Sequence, residues 1–284
     1  MRIKTFYNQR LGEIKKFSFL GGDLYHLSRP CPTRSEDAPN EDSSAFVEIS
    51  PDSGLLVVAD GMGGMEKGDK VSKMAIELLV IELKRYKRKL TRNQRMSQII
   101  LDALEAVQAE VRKLKISGGT TLSICHIYKG SLRFYNIGDS FCLLSGARGM
   151  IKYRSLDDSV TGHGVEAGLM SEEKALGHED SNIVTNSLGP DEFRVEVSCR
   201  LYPSKSDLIL LSTDGMSANL TTDQIIEQIS TGPGAERLQK VSDLVFQRMN
   251  KSELKSSNPD DYTAFLFHFP QDLTSETDLQ NTES

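Results

Sequence analysis

Five aspartates share one local context in this sequence. Each lies at the beginning or end of an apolar, strand-like segment, beside Gly, Asn or Asp, and they are Asp42, Asp60, Asp139, Asp214 and Asp260. Buried carboxylates that converge on one sheet edge repel each other unless cations lie between them. Ligand sets made only of oxygen favour hard ions such as Mg²⁺ or Mn²⁺ over zinc. The pattern therefore predicts a divalent metal site.

The chemistry of such a site is hydrolysis. Two ions about 4 Å apart can share a water molecule, lower its pKa towards neutrality and direct it at a phosphorus or carbonyl centre. The pattern thus favours a metal-assisted hydrolase, with phosphate esters as the favoured substrates. For each aspartate alone, a role in a turn or a helix cap is at least as common. The prediction depends on their number and their shared context.

The stretch from Leu55 to Gly64 is the most informative part of the chain. Five apolar residues lead into Asp60, and three of the next four residues are glycines. An unbroken apolar run predicts a strand buried on both faces. The glycines allow the backbone to come close to whatever Asp60 holds. The segment Leu208–Gly215 repeats this order of buried strand, aspartate and glycine.

The elements around these aspartates are predicted to be helix pairs that cover antiparallel sheets. Apolar residues at helical spacing predict two amphipathic helices between residues 71 and 114, and a second pair at Thr222–Ile229 and Ala235–Asn250. No regular β-α-β alternation occurs, which indicates an α+β protein rather than a doubly wound one. Strands are predicted at 43–49, 55–59, 120–128, 131–135, 141–144, 193–201, 207–211 and 262–269.

Bulk composition excludes several classes of protein. Of the 284 residues, 38% are hydrophobic and 26% are charged, which is typical of a globular protein with a core. The net charge of −6 disfavours nucleic acid or an anionic membrane as the main partner. No apolar stretch reaches the ~18–20 residues that span a membrane. The four cysteines lie far apart, and the chain is expected to be cytoplasmic and reduced.

Six short motifs occur in the order seen in the metal-dependent, PP2C-type protein serine/threonine phosphatases, which this chain resembles. They are Asn40-Glu41-Asp42, Val58–Gly64, Gly119-Thr120-Thr121, Gly138-Asp139-Ser140, Ser212–Gly215 and Asp260–Thr263. Each motif is short, but six in the same order are specific. The resemblance implies a four-layer αββα sandwich, in which two antiparallel sheets are flanked by helix pairs. It places the site at one edge of the sheets.

The resemblance also implies the ligands of two Mn²⁺ or Mg²⁺ ions. Asp60 would bridge both ions, and the carbonyl of Gly61 would bind one of them. Asp214 and Asp260 would complete the direct ligands.

Other acidic residues have less direct roles in this resemblance. Glu41 and Asp42 would act mainly through bound waters. Asp139, together with Asp214, would hold a weaker third ion, as in many bacterial members.

The matched domain spans about residues 21–269. Residues from about 155 to 189 lose strand character, include an acidic helical piece at 165–176, and resemble the flap of the bacterial members. Residues 1–20 are either a leading strand or a separate N-terminal arm. The polar tail 270–284 is predicted to be disordered.

Three positions depart from the family pattern. Met62 stands where many relatives have a histidine that is a proposed proton donor, and Met cannot donate. The phosphate-binding arginine usually lies shortly before the Asn-Glu-Asp motif; Arg34 and Arg29 are both candidates, and either could simply be solvated. Asp261 replaces a frequent asparagine and adds negative charge.

The sequence thus predicts a phosphatase that acts on phosphoserine or phosphothreonine in proteins. A cognate serine/threonine kinase system is the expected partner, and the protein is expected to be a monomer. The alternative is a catalytically inactive binding or regulatory module, which would usually have lost some of these aspartates.

Overall fold

The structure, a computed structural model, describes residues 1–62, 68–85, 93–113, 118–189, 192–251 and 257–270. Its strands are β1 (Arg2–Tyr7), β2 (Lys15–Phe19), β3 (Gly22–Arg29), β4 (Ser43–Ser50), β5 (Ser53–Ala59), β6 (Gly61–Met62), β7 (Gly119–Thr120), β8 (Leu122–Tyr128), β9 (Ser131–Ile137), β10 (Phe141–Ser145), β11 (Ile151–Arg154), β12 (Glu196–Val197), β13 (Leu208–Ser212) and β14 (Tyr262–His268). Its α-helices are α1 (Gly68–Arg85), α2 (Asn93–Lys113), α3 (Val160–Glu166), α4 (Glu172–Ala175), α5 (Asp214–Ser217), α6 (Thr222–Ile229) and α7 (Gly234–Met249).

Most strands form two six-stranded sheets. The first sheet has the order β1-β4-β5-β8-β9-β12, and the second has the order β11-β10-β13-β14-β3-β2. Every pairing within them is antiparallel. The tight β8–β9 hairpin turns at Lys129 and Gly130, both of which have positive φ angles. This matches the two-residue turn that favours hairpins with the natural strand twist.

Alternating side chains divide the core into layers. In β5, Leu55 and Val57 pack against helices α1 and α2, whereas Leu56 and Val58 point into the layer between the sheets. The unbroken apolar run is therefore buried on both faces, as predicted. Each fully buried Leu or Val side chain contributes roughly 1.5–3 kcal/mol to folding.

The outer layers are helical. Helices α1 and α2 cover the first sheet, and helices α6 and α7 cover the second sheet through residues such as Leu238 and Val245. The predicted αββα sandwich of two antiparallel sheets and flanking helix pairs is confirmed. No helix among the described residues combines the length and apolar character needed to cross a membrane.

The N-terminal residues do not form a separate arm. Strand β1 pairs with β4 at the edge of the first sheet, and β2 pairs with β3 at the edge of the second. Phe19 is fully buried between the sheets. Residues 1–20 therefore contribute two strands, one to the edge of each sheet.

Three other details differ from the predictions. The acidic helical piece is two short helices, α3 and α4, because the chain turns at Gly168 with a φ of +69°. The strand predicted at 193–201 is reduced to β12 and a single bridge at Leu201. Strand β11 was not predicted. The expected disordered tail lies, apart from Pro270, outside the described residues.

Candidate metal centre

Antiparallel register brings the candidate ligands to one edge of the sandwich. Ser43 pairs with Ala59, so Asp42, before β4, and Asp60, after β5, stand side by side. In the second sheet, Ser212 pairs with both Phe141 and Ala264. The same end of that sheet therefore carries the three remaining aspartates, Asp139, Asp214 and Asp260.

The two sheets are joined at this edge by side chains. The hydroxyl of Thr213, at the end of β13, donates to Asp42 Oδ2 at 2.9 Å. The same hydroxyl accepts from the Thr263 N–H at 3.0 Å. Both contacts are buried, so they fix the position of the Asp42 carboxylate.

The backbone of Asp60 is held by the Gly119-Thr120-Thr121 segment. Its N–H donates to Thr121 Oγ1 at 3.1 Å. Its carbonyl accepts from the Thr121 N–H at 2.9 Å and from Thr120 Oγ1 at 2.7 Å. The carbonyl is therefore fully used, and the carboxylate is the group of Asp60 that is left to face the site.

Burial and mutual repulsion make this edge unfavourable for uncompensated carboxylates. Burial raises the pKa of Asp42, Asp60 and Asp214 well above the usual range, and neighbouring carboxylates add to the effect. The same causes raise the pKa of Asp139 to about 7. Burial raises the pKa of Asp260 to about 6, although Arg34 opposes the shift. Cations at the site would stabilise the ionised forms instead.

Two carboxylate oxygens in this cluster are unsatisfied within the described part of the chain. Asp42 Oδ1 and Asp214 Oδ1 are buried, and neither has a hydrogen-bond partner among the described residues. A buried acceptor without a partner is costly, and a cation would satisfy both. An all-oxygen donor set of this kind suits Mn²⁺ or Mg²⁺.

The carboxylates converge without forming a preassembled set of metal ligands. Within the described ranges, no three Asp, Glu, His or Cys side chains are already arranged as a metal-ligand set. The residues present nevertheless fit the ions, because they offer oxygen donors, are buried or partly buried, and include two oxygens without a described hydrogen-bond partner.

Gly61 and Gly68 are required by close backbone contact. A Cβ on Gly61 would overlap the carbonyl of Gly68, and a Cβ on Gly68 would overlap the carbonyl of Gly61. Met62 pairs with Gly119 in the short β6–β7 ladder and is half-buried. The glycines at 63 and 64 lie outside the described residues.

The structure separates the two candidate arginines. The Arg34 guanidinium donates to Glu41 at 2.9 Å, to Asp261 at 2.8 Å and to Asp260 at 3.1 Å. The Arg29 guanidinium lies 4.0 Å from the ring centre of Phe246, on helix α7. Arg34 therefore stands among the acidic residues of the site, and Arg29 stacks on the helix.

The sequence reasoning missed the roles of Thr213 and Asp261. Both belong to quoted motifs, but the motifs drew attention to the neighbouring aspartates. Asp261 is 2% exposed and accepts three hydrogen bonds. Its presence in place of asparagine was the available signal.

A cavity opens beside the carboxylates, beneath the 155–189 flap. Asp139 and Asp214 line it. Arg154, Glu172 and residues of α3 line it as well. Glu172 also anchors the flap to helix α6, because its two oxygens accept from the N–H and the hydroxyl of Thr222 at 2.6 and 2.7 Å. The flap and the aspartates therefore line one cavity.

Two antiparallel sheets between helix pairs, with a carboxylate-only site and an arginine at one edge, are typical of the metal-dependent protein phosphatases. The sequence matches the protein phosphatase 2C family over residues 33–257, and the chain belongs to that family. The predicted family and fold are confirmed, and so is the prediction of a protein phosphatase.

Relatives and solved structures agree with this assignment. The serine/threonine phosphatase stp of Listeria monocytogenes is 29% identical over 197 residues, which cover 67% of this chain and 77% of that protein. The structure of the phosphatase Stp1 from Staphylococcus aureus has a TM-score of 0.74 at 21% identity and covers 87% of this chain and 94% of its own. The catalytic domain of the phosphatase PstP, in complex with two manganese ions, has a TM-score of 0.65 at 22% identity, over 86% of this chain and 96% of its own. At these identities, the structural matches establish the fold.

Proposed function

We propose that this protein hydrolyses phosphoserine and phosphothreonine in phosphorylated proteins, with two Mn²⁺ or Mg²⁺ ions. The observation that carries the proposal is the convergence of five aspartates, three buried and two partly buried, among which two buried oxygens have no described partner. The relatives named serine/threonine phosphatases support the activity. The manganese ions of the PstP structure support the choice of cation.

The direct ligands would be Asp60, Asp214, Asp260 and the carbonyl of Gly61. When bound, the two cations lower the pKa of a water molecule and make it a nucleophile towards phosphorus. Asp60 would be the ligand shared by both ions, because its buried carboxyl lies close enough to those of Asp42 and Asp260 to be repelled by them.

Asp42 and Glu41 would orient water around the ions. Asp42 is held by Thr213 through one oxygen, which leaves the other directed into the buried edge. The Glu41 side chain is partly exposed and pairs with Arg34. Asp139, which lines the flap cavity together with Asp214, is proposed as a ligand of a third, weaker ion.

Arg34 would bind the phosphoryl group of the substrate. Its side chain is 35% exposed, so it can reach solvent and the acidic edge at once. A planar guanidinium recognises phosphate oxygens in pairs. Met62 has no proton to donate, so the leaving oxygen would be protonated from solvent rather than by this side chain.

The proposal is tested by hydrolysis of a phosphoserine or phosphothreonine peptide by the full chain. We expect phosphate release with Mn²⁺, a smaller or equal rate with Mg²⁺, and no release with EDTA. The Asp60→Asn variant should lose activity at least about 100-fold, because the loss of a direct ligand costs more activity than the loss of an outer-shell partner. Hydrolysis that persists in EDTA, or in Asp60→Asn, would overturn the proposal.

The same assay addresses the inactive alternative. Binding of Mn²⁺ in calorimetry without turnover of any phosphopeptide would favour a binding or regulatory module. The retained acidic residues argue against it. We further propose that the physiological substrates are cytoplasmic proteins phosphorylated by a serine/threonine kinase, and that the protein acts as a monomer.

A further inference from the structure

Asp261 accepts hydrogen bonds from three residues of the loop between β3 and β4, which lie 220 to 230 positions before it in the chain. Its Oδ1 accepts from the Cys31 N–H at 2.7 Å. Its Oδ2 accepts from the Glu41 N–H at 2.8 Å and from Arg34 Nη1 at 2.8 Å. The residue is 2% exposed, so these donors stand in for water.

The contact with Cys31 also fixes the backbone that carries Arg34. The Arg34 N–H donates weakly to the Cys31 carbonyl at 3.4 Å, which closes a turn from Cys31 to Arg34. Asp261 thus accepts hydrogen bonds from the backbone N–H of Cys31, the first residue of the turn, and from the side chain of Arg34, the last residue. These contacts fix both the backbone and the guanidinium of Arg34.

The identity of residue 261 matters because all three groups are donors. An ionised carboxylate is acceptor-only and can take all three. An asparagine would present an NH₂ group on one side, so that a donor would face either the Cys31 N–H or the Glu41 N–H and Arg34. The added negative charge is thereby matched to the cationic guanidinium.

Asp261 also differs from the other partners of Arg34. Asp260 and Glu41 are assigned above to the cations and their waters, so the ions compete for them. Asp261 is turned away from that task by its three donors. It is the partner that can keep Arg34 in place when the other two engage cations.

We propose that Asp261 is a positioning residue that sets the phosphate affinity of this protein by orienting Arg34. The inference rests on the proposed function and deepens it. It assigns to this aspartate the recognition of the phosphoryl dianion, while the metal ligands keep their own role.

The test compares wild type with Asp261→Asn, Arg34→Met and the double variant. We expect Asp261→Asn to raise KM for a phosphopeptide about tenfold, the size of one charge-assisted hydrogen bond, with a smaller change in kcat. In the Arg34→Met background, Asp261→Asn should have little further effect on KM, because its route of action is gone. A full tenfold effect in that background would overturn the inference.

A matched control variant is Asp207→Asn. Asp207 is also buried, accepts from Lys152 at 2.6 Å and from the Ser204 N–H at 2.8 Å, and lies before β13, at the opposite end from Asp214. It should lower the melting temperature without moving KM. Equal KM shifts in Asp261→Asn and Asp207→Asn would show a merely structural effect.

Binding of inorganic phosphate to the Mn²⁺-loaded protein separates this inference from the proposed function. Calorimetry should show weaker phosphate binding in Asp261→Asn and unchanged Mn²⁺ binding. A wild type that binds phosphate but turns over no phosphopeptide would overturn the proposed function alone. An active wild type whose phosphate affinity is unchanged by Asp261→Asn would overturn the inference alone.

If Asp261→Asn does not fold, Arg34→Lys replaces it: a single ammonium cannot span Asp260 and Asp261, and an unchanged KM would be contrary to the inference.

Discussion

The hydroxyl of Thr213 and the carboxylate of Asp42 form a buried hydrogen bond of 2.9 Å that ties the two sheets together at the edge where the aspartates converge. These residues are 171 positions apart in the chain. The contact is therefore a product of the sandwich, and it leaves the second oxygen of Asp42 without a described partner.

Replacement of Thr213 by valine should uncouple this edge. The variant keeps the shape but removes the donor, so we expect unfolding to become easier by ~1–3 kcal/mol. Mn²⁺ affinity should fall about tenfold, as for other outer-shell partners. Thr213→Ser, which keeps the hydroxyl, is the control. Denaturant melts and Mn²⁺ titrations measure both effects, and an unaltered Mn²⁺ affinity in Thr213→Val would contradict the role given to this contact.

The close approach of Gly61 and Gly68 gives a second prediction. A methyl group on Gly61 would overlap backbone atoms that cannot move aside like a flexible side chain. Gly61→Ala should therefore displace the carbonyl assigned to the cation and weaken Mn²⁺ binding at least about tenfold. Gly189→Ala is a suitable control, because a Cβ there meets its nearest atoms at 3.5 Å, an ordinary contact distance. Equal Mn²⁺ affinities for the two variants would show that the crowding is irrelevant.

The convergence of the aspartates could be predicted from the sequence because it follows from local order. Each aspartate borders a strand, and antiparallel strand ends meet at the sheet edges. The alternation within β5 likewise follows from a period of two, so the burial of Leu55 to Val58 needed no tertiary knowledge.

Other features depend on contacts that no local pattern encodes. The path of the loop after β3 decides between Arg34 and Arg29. A contact with Cys31 across 230 positions determines the role of Asp261. Strand β1 has no buried run of its own, with only Phe6 buried, and owes its form to pairing with β4.

Met62 offers a prediction about acid catalysis. Its neighbour Gly61 is assigned to the cation, so Met62→His would bring an imidazole, with an ordinary pKa of about 6.5, beside the reacting group. We expect kcat in the variant to fall relative to wild type above that pH, where the imidazole loses its proton. Mn²⁺ affinity should change little. Met62→Leu is the apolar control, and pH–rate profiles with parallel Mn²⁺ titrations provide the measurement. A large loss of Mn²⁺ binding in Met62→His would count against this placement.

Outside the candidate metal centre, the buried His126 makes the stability of the protein depend on pH. Burial, assisted by Arg133 and Arg200, lowers the pKa of His126 to about 3. The folded pKa lies below the unfolded one, so the stability contributed by neutral His126 is present above about pH 6.5 and is lost as the pH falls towards 3. Between pH 7 and 5 the loss is ~2 kcal/mol.

His126→Leu should remove that share of the pH dependence. We expect the free energy of unfolding of the variant to fall less than that of wild type between pH 7 and 5. The exposed His163 supplies the control variant His163→Gln. Parallel slopes for wild type and His126→Leu in urea melts would refute the prediction.

Asp214 should show a trade-off between stability and function. Burial raises its pKa well above the usual range, and Asp60 adds repulsion. A carboxyl whose folded pKa is raised contributes stability that is lost as the pH rises through that pKa, so at neutral pH the ionised, metal-free protein is destabilised by this residue. Asp214→Asn removes the charge and supplies an amide that can donate to Asp60.

In EDTA, the variant should therefore melt at a higher temperature than wild type. In saturating Mn²⁺ the order should reverse, because ions that bind only the folded state stabilise wild type and bind the variant weakly. Thermal melts at pH 7 in both conditions test this crossover, and a variant that is less stable than wild type in EDTA would show that repulsion is not what strains the edge.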